Sequence, residues 1–211
     1  MSESHDLGQT DPTDVRGGTR KRNLIIAFSV VAVGTLFALM SWALAQSGGH
    51  PGSLGINNDF GEIDIQQRAA PLFAVEGLDG DTVDLSALQG KVVMLDFWSS
   101  WCPPCRREAP SLAQVYREYR DRNVEFVGVA IWDSPDEVRQ YVEGFGLDFP
   151  NLVDDRGRIG IDYGVTGIPE KFFIDSQGNL VRKFVGPMEP DVLREALEGL
   201  LASQISDQSG G

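Results

Sequence analysis

The chain has 211 residues and a formal net charge of −13, from 18 Lys and Arg against 31 Asp and Glu. That length suits one ordinary domain with appendages, and the acidic balance disfavours nucleic acid and anionic lipid headgroups as partners. The two histidines, His5 and His50, both precede the region that can fold. This argues against a Ser-His or Cys-His triad and against histidine metal sites.

Residues 1–23 are polar, rich in Gly, Thr and Asp and without hydrophobic periodicity, the composition of a disordered tail. The basic residues Arg16, Arg20, Lys21 and Arg22 cancel the acidic Glu3, Asp6, Asp11 and Asp14, so the net charge lies entirely beyond the next segment. That segment, 24–45, is 22 residues without a charge. As a helix it reaches about 33 Å, enough to cross a hydrocarbon core. Arg20, Lys21 and Arg22 precede it, and no Lys or Arg follows until Arg68. The positive-inside rule then predicts a single-pass protein with a cytoplasmic N-terminus and everything after residue 45 outside. Ala43-Leu44-Ala45 offers the small-x-small pattern of a cleavage site. The apolar stretch is longer than the roughly 7–15 residues of a signal-peptide core, so an uncleaved signal-anchor is the expectation. Cleaved or not, the domain lies outside the cytoplasm.

Residues 46–59, rich in Gly, Ser and Asn, read as a flexible linker. From 60 to 205 strand and helix patterns alternate, with 206–211 expected as a short disordered tail. Segments 72–76 and 82–85 flank Gly77-Leu78-Asp79-Gly80 and predict a hairpin. The apolar run 92–97 predicts a strand buried on both faces. After it, Cys105, Ala109, Leu112, Tyr116 and Tyr119 are spaced as one buried helical stripe, with Pro110 expected to kink that helix. A second buried strand is predicted at 124–131. Ser134-Pro135-Asp136-Glu137 then reads as a capping box with Pro at the first helical position, opening a helix that buries Val138, Tyr141, Val142 and Phe145. Segments 171–175 and 180–185 enclose a turn at 176–179, a second hairpin expected at the sheet's antiparallel edge. Leu193, Ala196, Leu197, Leu200 and Leu201 mark a last helix. The alternation means parallel βαβ units, hence an α/β fold with a mixed, mostly parallel central sheet and helices on both faces.

The only cysteines stand together in Trp101-Cys102-Pro103-Pro104-Cys105, directly after a buried strand and at a helix start. There the free N–H groups and the dipole favour a thiolate, although Pro103 and Pro104 remove two donors. Cys102 is expected to attack and Cys105, one turn in and buried, to resolve the mixed disulfide. A structural zinc site wants four ligands, and two cysteines do not make one. An inert disulfide is a further alternative outside the cytoplasm, but one closing so short a loop would stabilise weakly. Asp96, inside the apolar strand, is expected as a buried, unpaired carboxylate with a raised pKa that exchanges a proton with Cys105. Trp98, Trp101 and Trp132 are more often core than surface, with Trp101 the exception beside the nucleophile. Glu170 taken alone is a solvated charge at a strand start.

Asp96-Phe97-Trp98 followed by Trp101-Cys102-Pro103-Pro104-Cys105 resembles the thioredoxin superfamily, over about residues 60–202. The resemblance implies the thioredoxin-like fold and a redox disulfide Cys102–Cys105. Pro110 is similar to the family's helix-kinking proline. Pro169 is similar to its cis-proline, facing the cysteines and, with Ile168 and Trp101, binding an extended substrate segment. The added segment at about 133–153 and Gly164-Val165-Thr166-Gly167-Ile168-Pro169-Glu170 resemble the membrane-anchored TlpA, ResA and DsbE branch of thiol:disulfide interchange proteins. By that likeness Glu170 becomes an active-site acid, the membrane is a bacterial cell membrane, and no cofactor or metal is required.

The function so implied is an extracytoplasmic thiol:disulfide oxidoreductase. It would reduce protein disulfides such as that of apocytochrome c, and a membrane electron-donor thiol protein would refuel it. Asp96 is the thioredoxin choice where that branch often carries a neutral residue, which keeps a general thiol reductase as an alternative. A peroxiredoxin-like antioxidant expects Pro-x-x-x-Thr-x-x-Cys, which Ser99 and Ser100 do not supply. A copper-handling binding module of the same fold needs a distant histidine that the domain lacks.

Overall fold

A computed structural model describes residues 15–46, 57 and 61–209, without the side chains of 15–21, 43–46 and 205–209. The expected tail at 1–14, most of the expected linker (47–56 and 58–60) and residues 210–211 lie outside the described residues. The chain divides into two compact units, 1–52 and 53–211.

The first unit contains helix α1, Val15–Gln46. Its segment Arg22–Trp42 has a mean hydropathy of 2.4 and none of it is buried, which fits a single-pass anchor. The helix begins at Val15, inside the stretch expected as a tail. Once an apolar run has nucleated a helix, each further residue adds a hydrogen bond at little cost.

The second unit opens with the short strands β1 (Gly61–Ile63) and β2 (Arg68–Ala69), followed by the hairpin β3 (Ala74–Glu76) and β4 (Thr82–Asp84). A single turn of 3₁₀ helix at Leu85–Leu88, capped by the Asp84 carboxylate, leads to β5 (Val92–Trp98). Then follow α2 (Pro103–Tyr119), β6 (Val124–Ile131), α3 (Pro135–Phe145), β7 (Asn151–Asp154) and α4 (Arg158–Tyr163). The chain ends with β8 (Glu170–Ile174), β9 (Asn179–Val185) and α5 (Pro190–Ser209).

The main sheet runs β1-β9-β8-β5-β6-β7, with β2 also on β9. β5, β6 and β7 are parallel, whereas β8 and β9 are antiparallel to their neighbours. The last hairpin is therefore not the edge that the sequence predicts. β8 pairs with β5 in the middle of the sheet, and β1 and β2 cover the outer side of β9. Those two strands are too short to show an alternating pattern, which is why they escape a sequence reading.

Every residue of β5 is buried, and so are the predicted stripe residues of α2. Ser134 caps α3, its hydroxyl accepting the Glu137 N–H. Val138 and Tyr141 of that helix are buried, while Val142 and Phe145 are only partly covered. α2 packs against both α3 and α5 on one sheet face. On the other face Tyr163 of α4 packs on Phe97 and Phe172. α5 continues to Ser209, past the boundary expected at 205.

Candidate functional site

β5 delivers the chain into a tight connection, 99–101, and then into α2. Cys102 is the N-cap residue of α2, in extended backbone, and Pro103 takes the first helical position, where a missing N–H costs nothing. The sulfurs of Cys102 and Cys105 are bonded to each other, with Cα atoms 5.3 Å apart. Cys102 Sγ also accepts the Cys105 N–H at 3.3 Å, so the sulfur occupies the place of a capping oxygen. Cys102 is 0% and Cys105 1% exposed. In this oxidised form, helix position rather than exposure distinguishes the two thiols. Pro110 lies within α2, which continues through it.

The 99–101 connection is bolted to the end of β6. Ser99 Oγ donates to the Ile131 carbonyl, and Ser100 donates both N–H and Oγ–H to the Asp133 carboxylate, at 2.5 and 3.1 Å. The Trp101 indole N–H donates to the Trp132 carbonyl at 3.0 Å. Trp132 has φ +55°, an outlier for a bulky side chain, and is 55% exposed. Trp98 is core, stacked on Tyr141 at 4.1 Å. Trp101 and Trp132 are instead exposed, side by side next to the disulfide. For Trp132 the core expectation is corrected, because its backbone turns it out of the sheet. Nothing in the sequence signals that turn.

The Ile168–Pro169 peptide bond is cis, as the resemblance implies, and Ile168 is fully buried. Glu170, also fully buried, serves this loop. Its Oε1 accepts the Thr166 and Gly167 N–H groups, both at 3.2 Å, and the Thr166 hydroxyl at 3.0 Å. Its Oε2 pairs with Lys183 at 2.8 Å. Glu170 is thus not the solvated charge of the bare-sequence reading. Its partners belong to the loop and to β9 rather than to the cysteines. Asn57 reaches the same loop, its N–H donating to the Ile168 carbonyl at 2.8 Å and its side-chain amide to the Pro169 carbonyl at 3.1 Å.

Asp96 is buried as predicted but not unpaired. It stands opposite Lys171 in the β5–β8 register, and Lys171 Nζ lies 3.1 Å from Asp96 Oδ1 and 2.5 Å from Glu108 Oε1 of α2. The Met188 N–H donates to Glu108 Oε2 at 2.9 Å. All three side chains are at most 5% exposed. Burial pushes the Asp96 carboxyl up, and Lys171 only partly offsets it. Burial likewise pushes Glu108 up to about 7, against the pull of Lys171. For Lys171 burial acts downward, but Asp96 and then Glu108 outweigh it and hold the ammonium above its usual value.

Tyr141 of α3 ties this cluster to the disulfide. Its hydroxyl donates to the Cys105 carbonyl at 2.8 Å. Burial, then the charges of Asp96 and Glu108, push its phenol up. Sequence reasoning misses Glu108 and Lys171. The available signals were a carboxylate three residues after Cys105, on the helix's buried side, and a lone cation opening the apolar run Phe172-Phe173-Ile174.

Comparison with known proteins agrees with this geometry. The model of the AhpC/TSA family matches residues 66–183. The chain is 35% identical over 134 residues to the thiol-disulfide oxidoreductase ResA of Bacillus anthracis, covering 64% of this chain and 75% of that protein. It is 33% identical over 138 residues to the thiol:disulfide interchange protein HelX of Rhodobacter capsulatus, covering 64% and 76%. Among solved structures it resembles a thiol:disulfide interchange protein of the thioredoxin family from Chlorobium tepidum. That match has a TM-score of 0.60 at 32% identity and covers 66% of this chain and 99% of the other.

Proposed function

Because the chain belongs to the AhpC/TSA family and is a thiol-disulfide oxidoreductase, we propose that it works outside the cytoplasm as a reductant of protein disulfides, apocytochrome c among them. The anchor reading of α1, with Arg20, Lys21 and Arg22 on its N-terminal side, supports that placement.

The observation that supports this direction of electron flow is the buried cluster of Asp96, Glu108 and Lys171, two carboxylates to one cation, with Glu108 one helical turn along α2 from Cys105. Once the cluster loses its proton it carries an excess of buried negative charge, which disfavours a neighbouring thiolate. Strong oxidants of this chemistry owe their power to a stabilised reduced form, and this cluster works against that stabilisation.

In the reduced enzyme the Cys102 thiolate, at the N-cap of α2, attacks one sulfur of the target disulfide. The target's other sulfur leaves as a thiolate and takes a proton from water. Cys105 gives up its proton, with Asp96 as the acceptor in this reading, and attacks Cys102 Sγ. The Cys102–target bond breaks, and the departing target thiolate takes the proton from Asp96, leaving a Cys102–Cys105 disulfide and a target dithiol, so two electrons have passed to the target. A dithiol protein of the membrane then restores the reduced pair by the same exchange in reverse.

Trp101, Ile168 and Pro169 hold the target's extended segment, and Trp132 extends the apolar surface beside Trp101. Glu170 is a positioning residue that sets the Ile168–Pro169 loop through its contacts with Thr166 and Gly167.

The test is to replace Cys105 with Ser in the full chain and identify the proteins trapped as mixed disulfides on Cys102 in cells. Capture of apocytochrome c is the expected result. Capture of no protein, together with a reduction potential near the roughly −120 mV of strong oxidants, overturns the reading.

A further inference from the structure

The loop that leads into β8 has few main-chain groups to offer a partner. Pro169 has no N–H to donate, and its carbonyl accepts the Gly186 N–H from beyond the end of β9 at 2.8 Å. The Ile168 carbonyl is the acceptor that the sheet leaves over. Its main-chain donor among the described residues is the Asn57 N–H, at 2.8 Å.

Asn57 belongs to a stretch whose composition reads as a linker, yet three contacts set it on this loop. Besides the N–H, its side-chain amide donates to the Pro169 carbonyl at 3.1 Å and to Glu170 Oε1 at 3.4 Å. The strand register agrees with that placement. Gly61, four residues on, opens β1 opposite Val185 of β9, at the same end of the sheet from which Gly186 reaches Pro169.

An extended peptide binds along a protein edge by main-chain hydrogen bonds. A target segment lying against Ile168 and Pro169 therefore needs a main-chain acceptor there, and Asn57 already fills the one that is left. We propose that Asn57 is a specificity-determining residue, its N–H occupying the Ile168 carbonyl in the place of a target's own N–H, so that a peptide target must displace it. This rests on the reading in which Ile168 and Pro169 hold the target's extended segment.

The loop does not depend on Asn57 for its shape. When Asn57 leaves, Glu170 keeps the Thr166 and Gly167 N–H groups, the Thr166 hydroxyl and its ion pair with Lys183. Asn57 itself is only half-buried, and each of its bonds is exchanged for one to water or target, so its release is cheap. The cost falls on peptide targets alone. Their apparent affinity is reduced by the fraction of molecules in which the carbonyl is vacant. A small disulfide without peptide groups makes no use of that carbonyl and reaches Cys102 at its full rate.

The experiment uses the full chain in detergent micelles, reduced and then mixed with oxidised apocytochrome c or with bis(2-hydroxyethyl) disulfide, which has no peptide groups. The readout is the rate of enzyme oxidation against substrate concentration, which separates half-saturation from the limiting rate. Asn57→Pro removes both the N–H and the amide. It is expected to lower the half-saturating concentration of apocytochrome c by about three- to tenfold, the equivalent of one net hydrogen bond. The limiting rate and the rate with bis(2-hydroxyethyl) disulfide are expected to stay as in the wild type. Asn57→Ala, which keeps the N–H, is expected to show a smaller decrease, and it decides alone should Asn57→Pro fail to fold. An unchanged or raised half-saturating concentration overturns the proposal, as does an equal loss of rate with both substrates, the result for a residue that merely supports the loop. Failure of the wild-type protein to reduce apocytochrome c would instead overturn the target reading, and this proposal with it.

Discussion

Asp96 on β5 and Lys171 on β8 stand directly opposite each other in an antiparallel register, and their side chains meet at 3.1 Å beneath the helix that carries the disulfide. Successive side chains of a strand alternate between faces, so this register also sends Glu170 to the opposite side, into the Ile168–Pro169 loop. Two adjacent charged residues of one strand thus serve two different parts of the site.

The raised Glu108 carboxyl makes a signed prediction about stability. Its value in the fold is about 7, above the unfolded one, so the folded state binds more protons over the interval between them. Its contribution is full below the unfolded value and is lost as pH rises towards 7. Subtracting the urea-unfolding free energies of Glu108→Gln from those of the wild type, measured from pH 4 to 8, should give a difference that declines across that window. A flat or rising difference would contradict the assignment.

Glu170→Gln removes the anion that Lys183 faces, leaving a mostly buried cation without its partner. Breaking a buried pair from one side costs about 3–5 kcal/mol. The loss should be concentrated in the loop, so the Thr166 and Gly167 amides, which donate to Glu170, should exchange faster with solvent deuterium. Protection unchanged from wild type would remove Glu170 from its positioning role.

Trp132→Asn separates strain from recognition. Asparagine tolerates the left-handed backbone at this position far better than tryptophan, so the variant should be as stable as the wild type or about 1 kcal/mol more so. Its reduction of an apocytochrome c disulfide should weaken through KM, while its rate with oxidised glutathione stays unchanged. Equal KM values for the protein substrate would exclude Trp132 from the docking surface.

Gly128 of β6 leaves no room for a side chain. A Cβ there would collide with the Asn151 side chain and approach the Trp98 indole nitrogen to 2.9 Å. Gly128→Ala should cost about 1–3 kcal/mol. It should also loosen the β3–β4 hairpin, since the Asn151 carbonyl holds the Leu78 N–H at 2.9 Å. Denaturant midpoints and the exchange rate of the Leu78 amide test both parts.

The elements legible in advance were those with a strong local signal. The run 92–97, the stripe from Cys105 to Tyr119 and the Ser134 cap carry their periodicity or capping chemistry within a few residues. β1, β2, β7 and α4 are two to six residues long, too short for a period to show. The placement of the last hairpin depended on which strand lay beside β5, a contact between residues about 75 positions apart.

The amino-acid sequence alone determined that two thiols open a helix after a buried strand, that an apolar helix precedes the domain, and that no histidine competes for the chemistry. Each of these depends only on residue type and short-range spacing. Only the tertiary structure decided what surrounds the thiols. It paired Asp96 with a lysine 75 residues away, brought Glu108 to the same ammonium, turned Glu170 into its own loop and left Trp132 exposed. The charge state of a buried group is set by its neighbours in space, and strand register, which no local pattern encodes, chooses those neighbours.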